Sequence, residues 1–155
     1  LSDLPIHFTP EKRCQTFKPT WTPHIYIYNV NEKILTETTI EQVKRLHQEN
    51  PAHASYVDDT MQKSVDLAII SLQLEDPIEA TALMKESIRL SSQCYDHWGL
   101  ISKKVKQSME KLTAHGAVAT RLSGKGLGGI IIGLWPNPLD CEQIQQLNLY
   151  SGFDF

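Results

Sequence analysis

Four glycines stand within six residues, Gly124, Gly126, Gly128 and Gly129, interleaved with Lys125 and Leu127 and preceded by Ser123. Residues of these types at this spacing can hold an anion. Backbone without side chains allows close approach, tolerates positive φ, and can turn successive N–H groups towards one point. The Ser123 hydroxyl could reach a phosphate oxygen and Lys125 could add charge. The same letters also make a plain glycine hairpin, in which Ser123 bonds the turn's own backbone. A single loop lysine is ordinarily solvated, and that reading is favoured for Lys125. Gly124, Gly126 and Gly129 fit the spelling of the dinucleotide fingerprint. The next residues, Ile130-Ile131-Ile132-Gly133-Leu134-Trp135, read as a strand and not as a helix, so no helix N-terminus waits for a pyrophosphate. No Gly-Lys-Ser/Thr opens a helix either, which removes the Walker A loop.

Other chemistry-bearing residues give weaker patterns. The six histidines, at 7, 24, 47, 53, 97 and 115, form no HExxH and no pair at helical spacing, so no zinc site is expected. Asp58-Asp59 and Glu75-Asp76 read as helix caps and solvated charge before they read as Mg²⁺ ligands. Trp21, His97 and Trp98 read as core aromatics before they read as a ligand wall. Cys14, Cys94 and Cys141 are odd in number and far apart, which fits reduced thiols in a cytoplasmic protein. A net charge of -3 gives no reason to expect nucleic acid or an anionic membrane as partner, and no apolar run approaches a membrane span. The first residues lack the regions of a signal peptide, and the absence of an initial Met implies a chain that begins partway through a longer protein.

The elements that must position the glycine cluster are punctuated clearly. His24 to Val30 is a strand, rich in β-branched and aromatic residues. Thr38 and Glu41 spell a capping box for a helix reaching about Gln48. Asn50-Pro51 and Asp76-Pro77 each pair an N-cap with proline at the first helical position. The helices they open carry Val57, Met61, Val65, Ala68 and Leu72, and then Ala80, Leu83, Ser87, Leu90 and Cys94, at three-to-four spacing. A fourth helix uses Ile101, Val105, Met109 and Leu112 and stops at His115-Gly116. Two strands flank the loop, from Ala117 and from Ile130; the second is apolar on both faces, as in a buried mid-sheet strand. Asp140 with Gln143 caps a last helix. This order predicts one α+β domain over residues 1–155: a two-layer ferredoxin-like sandwich with a small, mostly antiparallel sheet and helices on one face.

With that order in place, Ala119-Thr120-Arg121-Leu122-Ser123-Gly124-Lys125-Gly126-Leu127-Gly128-Gly129 and the apolar strand after it resemble the C-terminal domain of the GHMP kinases, most of all the mevalonate kinases. The resemblance spans roughly residues 24–135, and its specific signature is the glycine loop. It implies an enzyme that uses ATP and Mg²⁺ to phosphorylate an acceptor such as mevalonate, in a cleft between two domains. It places Ser123, Gly124, Lys125, Gly126, Gly128 and Gly129 near substrate and phosphate. Ser123 matches the family's Ser/Thr position, whereas Lys125 stands where the family usually has Ala. The strand ending Tyr28-Asn29-Val30-Asn31 lacks the family's Asp-Ser/Thr-Gly; Thr36, Thr38 and Thr39 are the nearby hydroxyls. The family's Gly-Leu-Gly-Ser-Ser phosphate loop and catalytic Asp or Lys are missing, so ATP, Mg²⁺ and catalysis are expected from a separate N-terminal domain, and this chain alone is expected to be inactive. Phosphomevalonate kinase, diphosphomevalonate decarboxylase and homoserine kinase are sister readings. From another class, the same elements fit a non-catalytic ferredoxin-like domain that binds a ligand or forms a homodimer through an open face.

Overall fold

The computed structural model describes residues 6–8, 14–32, 36–124 and 129–151. Strands β1 (Ile6–Phe8) and β2 (Cys14–Thr16) pair antiparallel, so part of the proline-rich start forms a short ribbon. The chain continues through β3 (His24–Asn29), four helices, β4 (Ala119–Ser123), β5 (Ile130–Trp135), α5 (Cys141–Leu147) and β6 (Leu149–Ser151). The helices are α1 (Thr36–Glu49), α2 (Pro51–Gln73), α3 (Pro77–His97) and α4 (Lys103–Ala114). The main sheet has the order β4-β5-β3-β6, antiparallel throughout. That is the ferredoxin-like arrangement, with four helices where the simplest version has one.

The helix caps form at the residues expected. Asn50 accepts from His53 N at 3.2 Å with Pro51 behind it, and Asp76 accepts from Ile78 N at 2.9 Å with Pro77 behind it. Asp140 and Gln143 make the full reciprocal box at the head of α5. Two helix starts differ from expectation, and the strand expected from Ala117 begins at Ala119. Helix α1 begins at Thr36, so Thr38 lies inside it. Helix α4 begins at Lys103 because Ser102 takes the cap, accepting from Val105 N at 3.2 Å; Ile101 precedes the helix and packs against the core. Strand β6 lies beyond the expected elements.

Alternation along the strands divides the core in two. Tyr26, Leu122, Ile131 and Trp135 pack with Val105 and Leu112 of α4 and Leu147 of α5. The opposite set, Ile25, Ala119 and Leu134, packs with Met84 and Ile88 of α3 and Ala68 and Leu72 of α2. The expected α+β sandwich is thus present, and its helical cover extends beyond one face.

Helices α2 and α3 are joined by a seam of small residues. Cys94 Sγ reaches Val57 O at 3.4 Å, Ser64 and Ser87 donate to each other's carbonyls at 2.9 and 2.7 Å, and Ser71 donates to Ala80 O at 2.7 Å. These contacts step along both helices in opposite directions at heptad spacing, the period of an antiparallel coiled coil. Small side chains bring the backbones close enough for hydroxyls to reach facing carbonyls. If closeness is the main requirement, Ser71→Ala should cost about 1 kcal/mol, the net worth of one hydrogen bond, and Ser71→Leu about 1–3 kcal/mol more through overpacking. Thermal unfolding of the two variants measures this; equal midpoints would show that spacing is not what the seam requires.

Candidate functional site

The glycine loop is rooted where β4 ends against β5, with Ser123 paired to Ile130. Its two described ends, Gly124 and Gly129, both have positive φ, +85° and +98°. A Cβ built on either would meet nothing within 4 Å. These two positions therefore need glycine for backbone conformation and not for packing room, and both stand in open space. Lys125, Gly126 and Gly128 lie outside the described residues.

Two hydrogen bonds fix the ends. Tyr95 Oη of α3 donates to Gly124 O at 3.0 Å, and Val30 N, just past β3, donates to Gly129 O at 2.8 Å. Both carbonyls are held by protein donors, so neither presents an unsatisfied oxygen to an incoming anion. The Ser123 side chain is half-buried and has no hydrogen bond with a described residue; the hairpin residues 125–128 of the alternative reading lie outside the described residues.

The support beneath the loop comes from residues that carry no motif. Tyr95 is also edge-on to Trp98, with ring centroids 5.6 Å apart, and the buried Trp98 indole N–H has no partner among the described residues. On the other side, Asn31 takes a positive φ of 53° in an Asx turn closed by Asn29, and Lys104 Nζ donates to Asn31 O at 3.2 Å. Glu32 accepts from Ser102 Oγ at 2.6 Å. The one signal of this support in the sequence is the turn-forming run Asn29, Asn31, Glu32.

Other candidates resolve into structure. Thr39 is buried, and the side chains of Thr36 and Thr38 lie outside the described residues. Trp21 packs against the core and donates its indole N–H to Ser71 O at 2.6 Å. His97 stands edge-on to His53, centroids 5.0 Å apart, and Asp58 lies 3.6 Å from His47. Among the described residues no three His, Cys, Asp or Glu side chains group as a metal site. Burial and the nearby Asp58 raise the Cys94 thiol pKa, which keeps it an unreactive core thiol. No helix among the described residues is long and apolar enough to cross a membrane.

A four-stranded antiparallel sheet in this order, with helices inserted after its first strand and a glycine loop between edge and central strands, has the fold of the GHMP kinase C-terminal domain. Solved mevalonate kinases share it. The L. major mevalonate kinase, crystallised with R-mevalonate, superposes with a TM-score of 0.69 at 18% identity, over 92% of this chain and 42% of that one. The Lin0012 protein from Listeria innocua gives 0.68 at 17% identity, over 90% and 38%. The Methanococcus jannaschii mevalonate kinase gives 0.61 at 15%, over 88% and 40%. The chain thus spans less than half the length of these relatives. No family model matches the sequence, and no curated protein matches it significantly, so the likeness is one of fold.

The anchoring generates a paired expectation. Tyr95→Phe should lose about 1 kcal/mol and speed amide exchange at the loop ends. Gly124→Ala should lose about 1–2 kcal/mol from its left-handed backbone alone, since nothing blocks the methyl group. Chemical denaturation with hydrogen exchange reads both; an unchanged Gly124→Ala protein would show that residue 124 does not need its positive φ.

Proposed function

We propose that residues 1–155 form the C-terminal domain of an ATP-dependent small-molecule kinase of GHMP type, with mevalonate as the first acceptor to test. The observation that carries this reading is the rooted glycine loop: two left-handed ends in open space, both end carbonyls tied inward, and at its threshold a serine with no hydrogen bond to a described residue. The similarity to mevalonate kinases, one of them crystallised with R-mevalonate, supports the choice of acceptor. The described part of the loop fits a phosphate, since it offers backbone and hydroxyl donors. It does not fit Mg²⁺, because no carboxylate cluster lies among the described residues.

On this reading Ser123, Gly124, Lys125, Gly126, Gly128 and Gly129 border the phosphates. Their N–H groups and the Ser123 hydroxyl orient the transferring group and offset its charge. MgATP supplies the phosphoryl group and its counter-charge, and is held mainly by an N-terminal domain carried elsewhere in the full-length protein. The chain alone binds and orients, and does not turn over.

The test is the full-length protein assayed with MgATP against mevalonate, phosphomevalonate, diphosphomevalonate and homoserine. Gly124→Val should lower kcat/KM about a hundredfold or more, the order seen when a preorganised donor is lost. Ser123→Ala, the gentler change, should lower kcat with little effect on folding. Full activity in both variants would remove the loop from the mechanism. Activity with another member of the panel would reassign the acceptor and keep the class.

A further inference from the structure

A second feature of β4 has no part in that mechanism. A cavity of about 350 Å³ lies between the helix pair α2–α3 and the sheet face that carries Ile25 and Ile132. This is within the range of small-molecule sites. Its walls are largely aliphatic, with Val65, Ala68, Met84 and Ile88 facing the two isoleucines. Three serines also line it, but Ser64, Ser87 and Ser91 each donate to a backbone carbonyl. Arg121 is the single charged residue in the lining.

Arg121 is half-buried and makes no ion pair or hydrogen bond with a described residue. Its partners across the sheet are Ile132 and, beyond it, Ile27, neither of which can accept. Burial lowers the guanidinium pKa, opposed by the nearby Tyr95, yet arginine stays charged at any physiological pH. A guanidinium carries five donors in a planar fork matched to a carboxylate or phosphate. Holding it in an apolar pocket with no counter-ion among the described residues is unfavourable, and an anion entering from solvent relieves that.

We infer that this cavity binds a small ligand with a carboxylate or phosphate head on Arg121 and an aliphatic body along Ile25, Ile132, Met84 and Ile88. Arg121 and Ser123 project from the same face of β4, about 7 Å apart along the strand. The ligand would therefore lie beside the root of the glycine loop. The inference goes beyond the kinase reading and does not need it: binding here requires neither nucleotide nor turnover.

The chain is titrated with hexanoate, hexyl phosphate and hexanol, without nucleotide, by calorimetry and by NMR of the isoleucine and methionine methyl groups. The expected result is that one or both anions bind about tenfold or more tightly than hexanol, as a hydrogen-bonded charge pair implies. Shifts should centre on Ile25, Ile132 and Met84, and affinity should fall with added salt. Which anion binds better identifies the head group. Arg121→Gln should bring the anions down to the level of hexanol, and Arg121→Lys should restore part of the difference. Ala68→Leu, which narrows the cavity and leaves Arg121 intact, should weaken all three, and it serves if Arg121→Gln fails to fold. Equal binding of hexanol and hexanoate, full anion affinity in Arg121→Gln or in Ala68→Leu, or shifts confined to another surface would each overturn the proposal.

Discussion

Strand β5 is hydrogen-bonded on both edges and covered on both faces, and the rest of the molecule is arranged around satisfying it. Ile131 and Trp135 turn to one core and Leu134 to the other, all almost fully buried. Room for Trp135 depends on Gly133, because a Cβ there would come within 2.5 Å of the indole ring. The ring then meets Tyr26 edge-on at 5.5 Å and donates its N–H to His115 O at 3.1 Å. One missing side chain thus seats a tryptophan that joins β3, β5 and the end of α4. An apolar strand of this kind has no stable place at a sheet edge, so it fixes which neighbours it must have.

The position of the loop follows from that packing. β4 is laid down against β5, so the glycine ends emerge where the ladder runs out. Their carbonyls are then caught by Tyr95 from one side and Val30 from the other. Tyr95 is in place because α3 is pressed against the sheet through Met84 and Ile88 and held to α2 by the serine seam. The two described ends of the loop are thereby held by elements whose placement is decided in the core. Rigid support at the root of a loop is the usual condition for a binding site.

Punctuation was the most legible part of the sequence, because a cap is a local event. Asn50-Pro51, Asp76-Pro77 and Asp140 with Gln143 each satisfy nearby backbone groups whatever the fold does. The buried centre was legible too, since Ile130 to Trp135 has no polar face. Small residues misled where hydrophobic periodicity was the guide. On α3 the expected face is buried at Ala80, Ser87, Leu90 and Cys94, but it omits Met84 and Ile88, which are buried against the sheet, and its Leu83 is only half-buried. On α2 the stripe holds the buried Val57 and the core-packed Ala68 and Leu72, but Val65 is left 39% exposed, and the buried positions also include Ser64 and Ser71, polar by type and satisfied by carbonyls of another helix. The candidate site was legible as composition and not as geometry. Four glycines announce a loop, but Tyr95 and the turn at Asn31 take their meaning from long-range contacts. Arg121 looked like an ordinary strand residue until the α2–α3 pair closed over its face.

That closure gives β4 two means of attracting negative charge, and they differ in kind. On the proposed reading the loop at its end would work through backbone N–H groups, which carry partial charge, need no counter-ion and impose little cost when empty. Arg121 carries a full charge in apolar surroundings, which is unfavourable until something negative arrives. The net charge of -3 does not predict either, because local potential in a concave, poorly hydrated place is set by the few groups that face it. On the two readings proposed above both features would hold an anion, and neither would supply a base or a metal ligand. A surface built this way contributes orientation and charge balance, while phosphoryl transfer also needs a metal and a group that positions the nucleophile. The division of labour between two domains in the proposed function therefore has a physical basis in which donors this sheet presents.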